Sequence, residues 1–74
     1  MVDMESRQAA TRHAYALTLW AAARERAVDE LASKAARLSG EGQKGEAAGI
    51  RAAARLLRVQ ALRERAQAAA VRGQ

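Results

Sequence analysis

The architecture of this chain follows from residues 14–23, which read A-Y-A-L-T-L-W-A-A-A. They form an uncharged stretch in a protein of which 28% of the residues are charged. On a helical wheel of about 100° per residue, Leu17 and Trp20 lie on one side, and Tyr15 and Leu19 lie on the opposite side. A helix that is apolar all round is normally buried on more than one side. The stretch therefore predicts a helix with partners on two sides, which indicates assembly.

The composition restricts the fold to helices. The chain has 74 residues, with no proline and no cysteine. Strong helix formers dominate, and no alternating β-branched run predicts a strand. A chain this short has a marginal core, and without cysteine it gains nothing from disulfides or thiolate metal sites. We therefore expect an all-α antiparallel two-helix hairpin, completed by oligomerisation or by docking on a larger protein.

Several functional classes are disfavoured. The uncharged stretch is too short to span a bilayer, which takes about 20 residues, and residues 1–5 lack the features of a signal peptide. The one histidine, His13, cannot build a zinc site without several carboxylates. Catalysis needs titratable groups that converge in a pocket, and a hairpin offers none. We expect no enzyme activity, no metal, no cofactor and no membrane partner.

The predicted organisation is one helical-hairpin domain over residues 1–74, with a helix over 3–38, a loop over 39–45 and a helix over 46–72. The carboxylate of Asp3 is suited to cap the first helix.

Two glycines are assigned local roles near the loop. Gly40 suits the left-handed residue that closes a helix. Gly49, inside the second helix, suits a close approach of the two helices.

Each helix carries a seam of residues spaced by three and four, as in a coiled coil. The seam of the first helix is Ala10, Ala14, Leu17, Ala21, Val28, Leu31, Ala35 and Leu38. The seam of the second helix is Ile50, Ala54, Leu57, Ala61, Glu64, Ala68 and Val71. Pairing residues whose numbers sum to 88 places Arg24, the charge that interrupts the first seam, opposite Glu64. We predict a salt bridge that sets the register; the alternative is that both side chains extend separately into solvent.

The seams and the remaining apolar residues define two sets of contacts. The predicted hairpin core is Leu17, Trp20, Val28, Leu31, Leu57 and Ala61. One partner helix cannot also cover the second apolar edge of helix two, so we predict a further interface. The predicted partner interface is Tyr15, Leu19, Trp20, Leu56, Val59 and Leu62. A dimer of hairpins forming a four-helix bundle would cover it, as would a larger assembly.

Positive charge is concentrated in the second helix. Residues 47–74 contain six arginines and one acidic residue. Those that line one side are Arg51, Arg55, Arg58, Arg65 and Arg72. Such a stripe is suited to contact phosphates or an acidic protein surface; the alternative is a solvated face opposite the core. Aromatic residues typical of single-strand binding are missing from it. A small nucleic-acid-binding regulator is therefore the alternative function.

Trp20 and residues 49–57, G-I-R-A-A-A-R-L-L, resemble small helical-hairpin proteins encoded among bacteriophage structural genes. The resemblance covers residues 17–58: a tryptophan, a charged amphipathic run, a short loop, then glycine-isoleucine leading into a leucine pair. It implies a small multi-copy virion component around a portal, neck or tail. In architecture the chain is also similar to plasmid RNA-binding hairpins and to helical-hairpin chaperones of secretion systems. We expect a structural protein whose partner is itself or a larger assembly, in the bacterial cytoplasm or in a virion.

Overall fold

The computed structural model describes residues 4–73 as two helices. Helix α1 spans Met4–Gly40 and helix α2 spans Lys44–Arg72. They pack against each other as an antiparallel hairpin, and the described residues contain no strand. The expected all-α hairpin is confirmed. Asp3, the predicted cap of the first helix, lies outside the described residues.

The connection between the helices is a Schellman motif built on Gly42, whose φ is 86°. The N–H of Gln43 donates to the carbonyl of Leu38 at 2.8 Å, and the N–H of Gly42 donates to the carbonyl of Ser39 at 3.1 Å. These bonds satisfy carbonyls that the end of α1 leaves free. The prediction for Gly40 is wrong, because α1 continues through Gly40 and the chain reverses two residues later.

The close approach predicted at Gly49 is also wrong. A Cβ added to Gly49 would meet no atom within 4 Å. The residue that packs near the loop is Ala47, which is fully buried. Sequence analysis missed it because the seam of the second helix was started at Ile50, its first large apolar residue. Ala47 in fact begins a series of buried alanines spaced by seven, which continues with Ala54, Ala61 and Ala68.

Alanine fills most of the core. The buried apolar residues in the described chain are Ala14, Leu17, Ala21, Val28, Ala35, Ala47, Ala54, Ala61 and Ala68. Of the predicted core residues, Leu17, Val28 and Ala61 are buried, while Leu31 and Leu57 are half-buried. Small side chains allow two helices to approach closely and leave a thin core between them.

Trp20 does not belong to this core, because 52% of it is exposed. It precedes the fully buried Ala21 by one residue, which turns its side chain about 100° away from that of Ala21. In the register of the Arg24–Glu64 pair, the α2 residue level with Trp20 is the buried Ala68, whose methyl group offers an indole ring little surface to pack against. Because the helices meet largely through alanines, the space between them does not admit an indole ring.

The hairpin is a thin rod. Its Cα atoms extend over 61 × 13 × 11 Å, with a radius of gyration of 17.1 Å. A compact chain of this length would have a radius of gyration of about 11 Å. The accessible surface is 5538 Å², whereas roughly 4,400 Å² is expected for a compact monomer of this mass. The rod therefore leaves an unusually large share of its surface uncovered.

Candidate interaction surfaces

The two seams meet in the predicted register. Arg24 Nε donates a hydrogen bond to Glu64 Oε1 at 2.8 Å, and the Glu64 side chain is 12% exposed. The predicted salt bridge is therefore present, and the two side chains do not extend separately into solvent. A slip of one heptad would place Arg24 opposite Leu57 or Val71, and a charge facing an apolar side chain is costly. The pair thus discriminates between registers.

A second set of contacts joins the flanks of the two helices. Arg65 holds Glu25 with two hydrogen bonds, from Nε to Oε2 at 2.8 Å and from Nη2 to Oε1. Arg72 Nη2 donates to Thr18 Oγ1 at 2.9 Å. The residue numbers of both pairs sum to 90, so these contacts follow one edge of the hairpin beside the seam. The hydrogen bond from Arg65 holds the pKa of Glu25 below its ordinary value, and the same contact raises the pKa of Arg65.

We name the predicted arginine stripe the basic edge; it consists of Arg51, Arg55, Arg58, Arg65 and Arg72. The structure divides it into two halves. Arg65 and Arg72, towards the end of α2, are bound to α1 as described above. The three arginines nearer the loop are exposed and form no hydrogen bond or salt bridge within the described chain. Within the basic edge, only this loop half makes no hydrogen bond or salt bridge to α1.

The residues of the predicted partner interface are all exposed, by between 44% and 69%. They form two groups on the outer surface of the rod. The α1 cluster is Tyr15 and Leu19 on one face of α1, together with Trp20, which lies about 100° around the helix from Leu19. The α2 cluster is Leu56, Val59 and Leu62. In the register of the Arg24–Glu64 pair, Val59 lies ten residues along the rod from Leu19, which is about 15 Å. The clusters are therefore separate patches at different levels of the rod.

Helix α1 extends past the end of α2 and leaves an open cleft of about 580 Å³. The residues that line it are Ser6, Arg7, Ala10, Thr11, Ala14, Tyr15, Val71 and Arg72. The cleft lies next to the buried cluster of Ala14, Leu17 and Ala68, against which Val71 packs. The cleft borders the α1 cluster through Tyr15.

The described residues contain no group of three or more His, Cys, Asp or Glu side chains that would hold a metal ion. No buried side-chain nitrogen or oxygen in this part of the chain lacks a hydrogen-bond partner. His13 is exposed on α1. Neither described helix combines the length and apolar character needed to cross a bilayer.

These features define the class: an alanine-cored, antiparallel helical hairpin with exposed apolar clusters and a basic edge. Comparisons of the chain with protein-family models, with curated proteins and with solved structures find no match.

Proposed function

We propose that this chain is a non-enzymatic structural module that assembles with further copies of itself through the α1 and α2 clusters. The observation that carries the proposal is the contrast between core and surface. Seven of the nine buried residues in the described chain are alanine, whereas seven larger apolar side chains, Met4 and the six of the two clusters, are at least 44% exposed. Half of the large apolar side chains in the described residues are therefore exposed outside the core.

Covering these side chains would supply the stabilisation that the core lacks. Burying one large apolar side chain contributes about 1.5–3 kcal/mol relative to leaving it in water. Tyrosine and tryptophan, both present in the α1 cluster, are also enriched among the residues that dominate binding energy at interfaces. Assembly through the two clusters is thus the arrangement that this surface favours.

The biological setting rests on the resemblance of Trp20 and residues 49–57 to hairpin proteins of bacteriophage structural genes. We propose a small virion or virion-assembly component, present in many copies near a portal, neck or tail. A rod with separate apolar patches at two levels is suited to such a role, because each patch can contact a different neighbour.

The test is the solution mass of the protein, measured by light scattering at low and high salt. The wild type should form a defined oligomer that is insensitive to salt and free of nucleic acid. Leu19→Gln with Val59→Gln, one change in each cluster, should reduce the mass towards that of a monomer. The matched control is Arg26→Gln with Ala66→Gln, which alters the exposed residues one heptad further along the same helix faces.

Either of two results would overturn the proposal. The first is a wild type that stays monomeric at every concentration tested. The second is equal loss of mass in the cluster variant and in its control. A monomer that carries nucleic acid at low salt and releases it at high salt would favour the alternative, a small nucleic-acid-binding regulator.

A further inference from the structure

The two halves of the basic edge meet different surfaces on α1. The far half of the basic edge is Arg65 and Arg72. In the register where paired residue numbers sum to 90, each of them lies beside an acceptor side chain on α1, Glu25 for Arg65 and Thr18 for Arg72. The same register places Ala32 opposite Arg58 and Ser39 opposite Arg51. Alanine has no acceptor, and Ser39 forms no side-chain hydrogen bond within the described chain. Arg51 and Arg58 therefore repeat the heptad position of Arg65 and Arg72 without a bound acceptor on α1.

The Glu25–Arg65 contact shows what an arginine on this edge binds. There, a carboxylate from a neighbouring helix receives two hydrogen bonds from one guanidinium. Such paired contacts are stronger and more specific than a single charge contact. In the loop half, the guanidinium groups of Arg51, Arg55 and Arg58 are spaced by four and three residues. They therefore project from the same side of α2, with about one per turn.

The surroundings of these arginines are apolar rather than basic. Leu62, which is 62% exposed, continues the line one turn beyond Arg58. Across the edge, Ala32 and Ala36 on α1 are exposed and small, so they leave space beside the arginines. A phosphate backbone would use the guanidinium groups alone and make no apolar contact with Leu62. A helix with carboxylates next to apolar side chains would match both features.

We propose that the loop half of the basic edge, Arg51, Arg55 and Arg58 with Leu62, binds an acidic amphipathic helix of another protein. The helix would lie along the surface where α1 and α2 meet near the loop and place its carboxylates beside these arginines, as Glu25 does beside Arg65. This inference builds on the proposed role in protein interaction, but it concerns a different surface, which shares only Leu62 with the α2 cluster.

The test uses a labelled synthetic helical peptide with leucine at positions a and d and glutamate at e and g of each heptad. Binding is followed by fluorescence anisotropy at low and moderate salt. The peptide should bind more weakly as salt rises, and a matched peptide with glutamine in place of glutamate should not bind. Replacing Arg51, Arg55 and Arg58 together by glutamine should weaken binding about tenfold or more. The lysine triple variant, which keeps the charge, should retain part of the affinity.

The control is the triple variant Arg26→Gln, Arg37→Gln and Arg63→Gln, which has the same net charge and changes exposed arginines elsewhere. It should bind the glutamate peptide as the wild type does. Equal loss in both triple variants would overturn the proposal, since net charge alone would then explain binding. Absence of binding to the wild type would overturn it as well. Tighter binding to duplex DNA, lost in the edge variant, would make nucleic acid the occupant.

A last variant separates this inference from the proposed assembly. Leu19→Gln with Val59→Gln should lose self-assembly but keep its affinity for the glutamate peptide. If the wild type does not assemble but still binds the peptide, the inferred peptide site is supported and the proposed self-assembly is not. If the variant loses peptide binding together with assembly, the edge is not a separate site, and the inference falls.

Discussion

Arg24 and Glu64 are 40 residues apart in sequence, and they meet across the hairpin at 2.8 Å as the charged members of two otherwise apolar seams. The side chain of Glu64 is largely covered, whereas that of Arg24 is 37% exposed. The pair thus lies between a surface salt bridge, worth about 0–1 kcal/mol, and a buried one, which costs about 3–5 kcal/mol to break. Solvent at Arg24 keeps it closer to the surface case.

A double-mutant cycle should measure this coupling. Arg24→Gln, Glu64→Gln and the double variant should give an interaction free energy of about 1 kcal/mol in urea unfolding. A parallel cycle on Arg63 and Glu30, which form no salt bridge in the described chain, should be additive. Additivity at Arg24 and Glu64 would show that the contact contributes nothing to stability.

The contact between Glu25 and Arg65 predicts a specific dependence on pH. The hydrogen bond from Arg65 lowers the pKa of Glu25 in the folded state. A glutamate in an unfolded chain has a pKa of about 4.3, so the contact contributes stability above that pH and loses it as the pH falls through the folded value. The difference in unfolding free energy between the wild type and Glu25→Gln should therefore be present near neutral pH, begin to decline as the pH falls below about 4.3, and vanish once the pH is below the folded pKa of Glu25.

The partner supplies the control for that experiment. In an Arg65→Gln background, Glu25→Gln should have no comparable effect between neutral and acidic pH, because the hydrogen bond that lowers the pKa is gone. A pH-dependent difference that persists in this background would assign the effect to another group.

The Schellman turn separates two glycines that look equivalent in the sequence. Gly42 has a φ of 86°, which side chains rarely adopt, so Gly42→Ala should destabilise the hairpin by about 1–2 kcal/mol. Gly40 is helical, and a Cβ there would meet nothing within 4 Å. Gly40→Ala should leave stability unchanged or raise it by up to about 1 kcal/mol. Thermal unfolding of the two variants checks both values, and the reverse order would place the left-handed residue at Gly40.

The alanine core predicts that a larger side chain is tolerated at position 36 but not at the neighbouring position 35. Ala35 is fully buried, whereas Ala36 is exposed. Ala35→Leu should destabilise the hairpin by about 1–3 kcal/mol, because the two helices would have to move apart. Ala36→Leu adds the same side chain on the surface and should change stability by less than about 0.5 kcal/mol. Equal effects in urea unfolding would contradict the packing described for Ala35.

The helices and their register were predictable from sequence because three signals agree. The seams repeat every seven residues, the glycines cluster at one place, and the single register that opposes Arg24 with Glu64 also aligns the seams. The Glu25–Arg65 contact could have been predicted from the same register, because each residue directly follows a member of the Arg24–Glu64 pair. It was missed because the pairing was applied only to the seams. The exposure of the partner-interface residues also follows from their positions outside the seam.

The incorrect predictions for Trp20, Ala47 and the turn glycines have one origin: large or distinctive residues were favoured over small ones. Trp20 was placed in the core for its size, although its position flanks the seam and Ala21 occupies the contact. Ala47 was overlooked for its smallness, although it packs where a larger residue would not fit. At the turn, glycine occurs at both 40 and 42, and helix propensity does not decide which one takes the left-handed conformation.

The position of the Schellman turn also predicts the order in which contacts between the two helices form. Leu38 and Ile50, which flank the turn, are only 12 residues apart in sequence, whereas Thr18 and Arg72 meet over a separation of 54. The entropy lost on closing a loop grows with its length, so pairing should begin at the turn and travel towards the chain ends. Opening should run in the opposite sense, with the ends separating first. The α1 cluster lies in the part that opens first. A partner bound to this cluster would therefore stabilise the part of the helix pair that separates most readily.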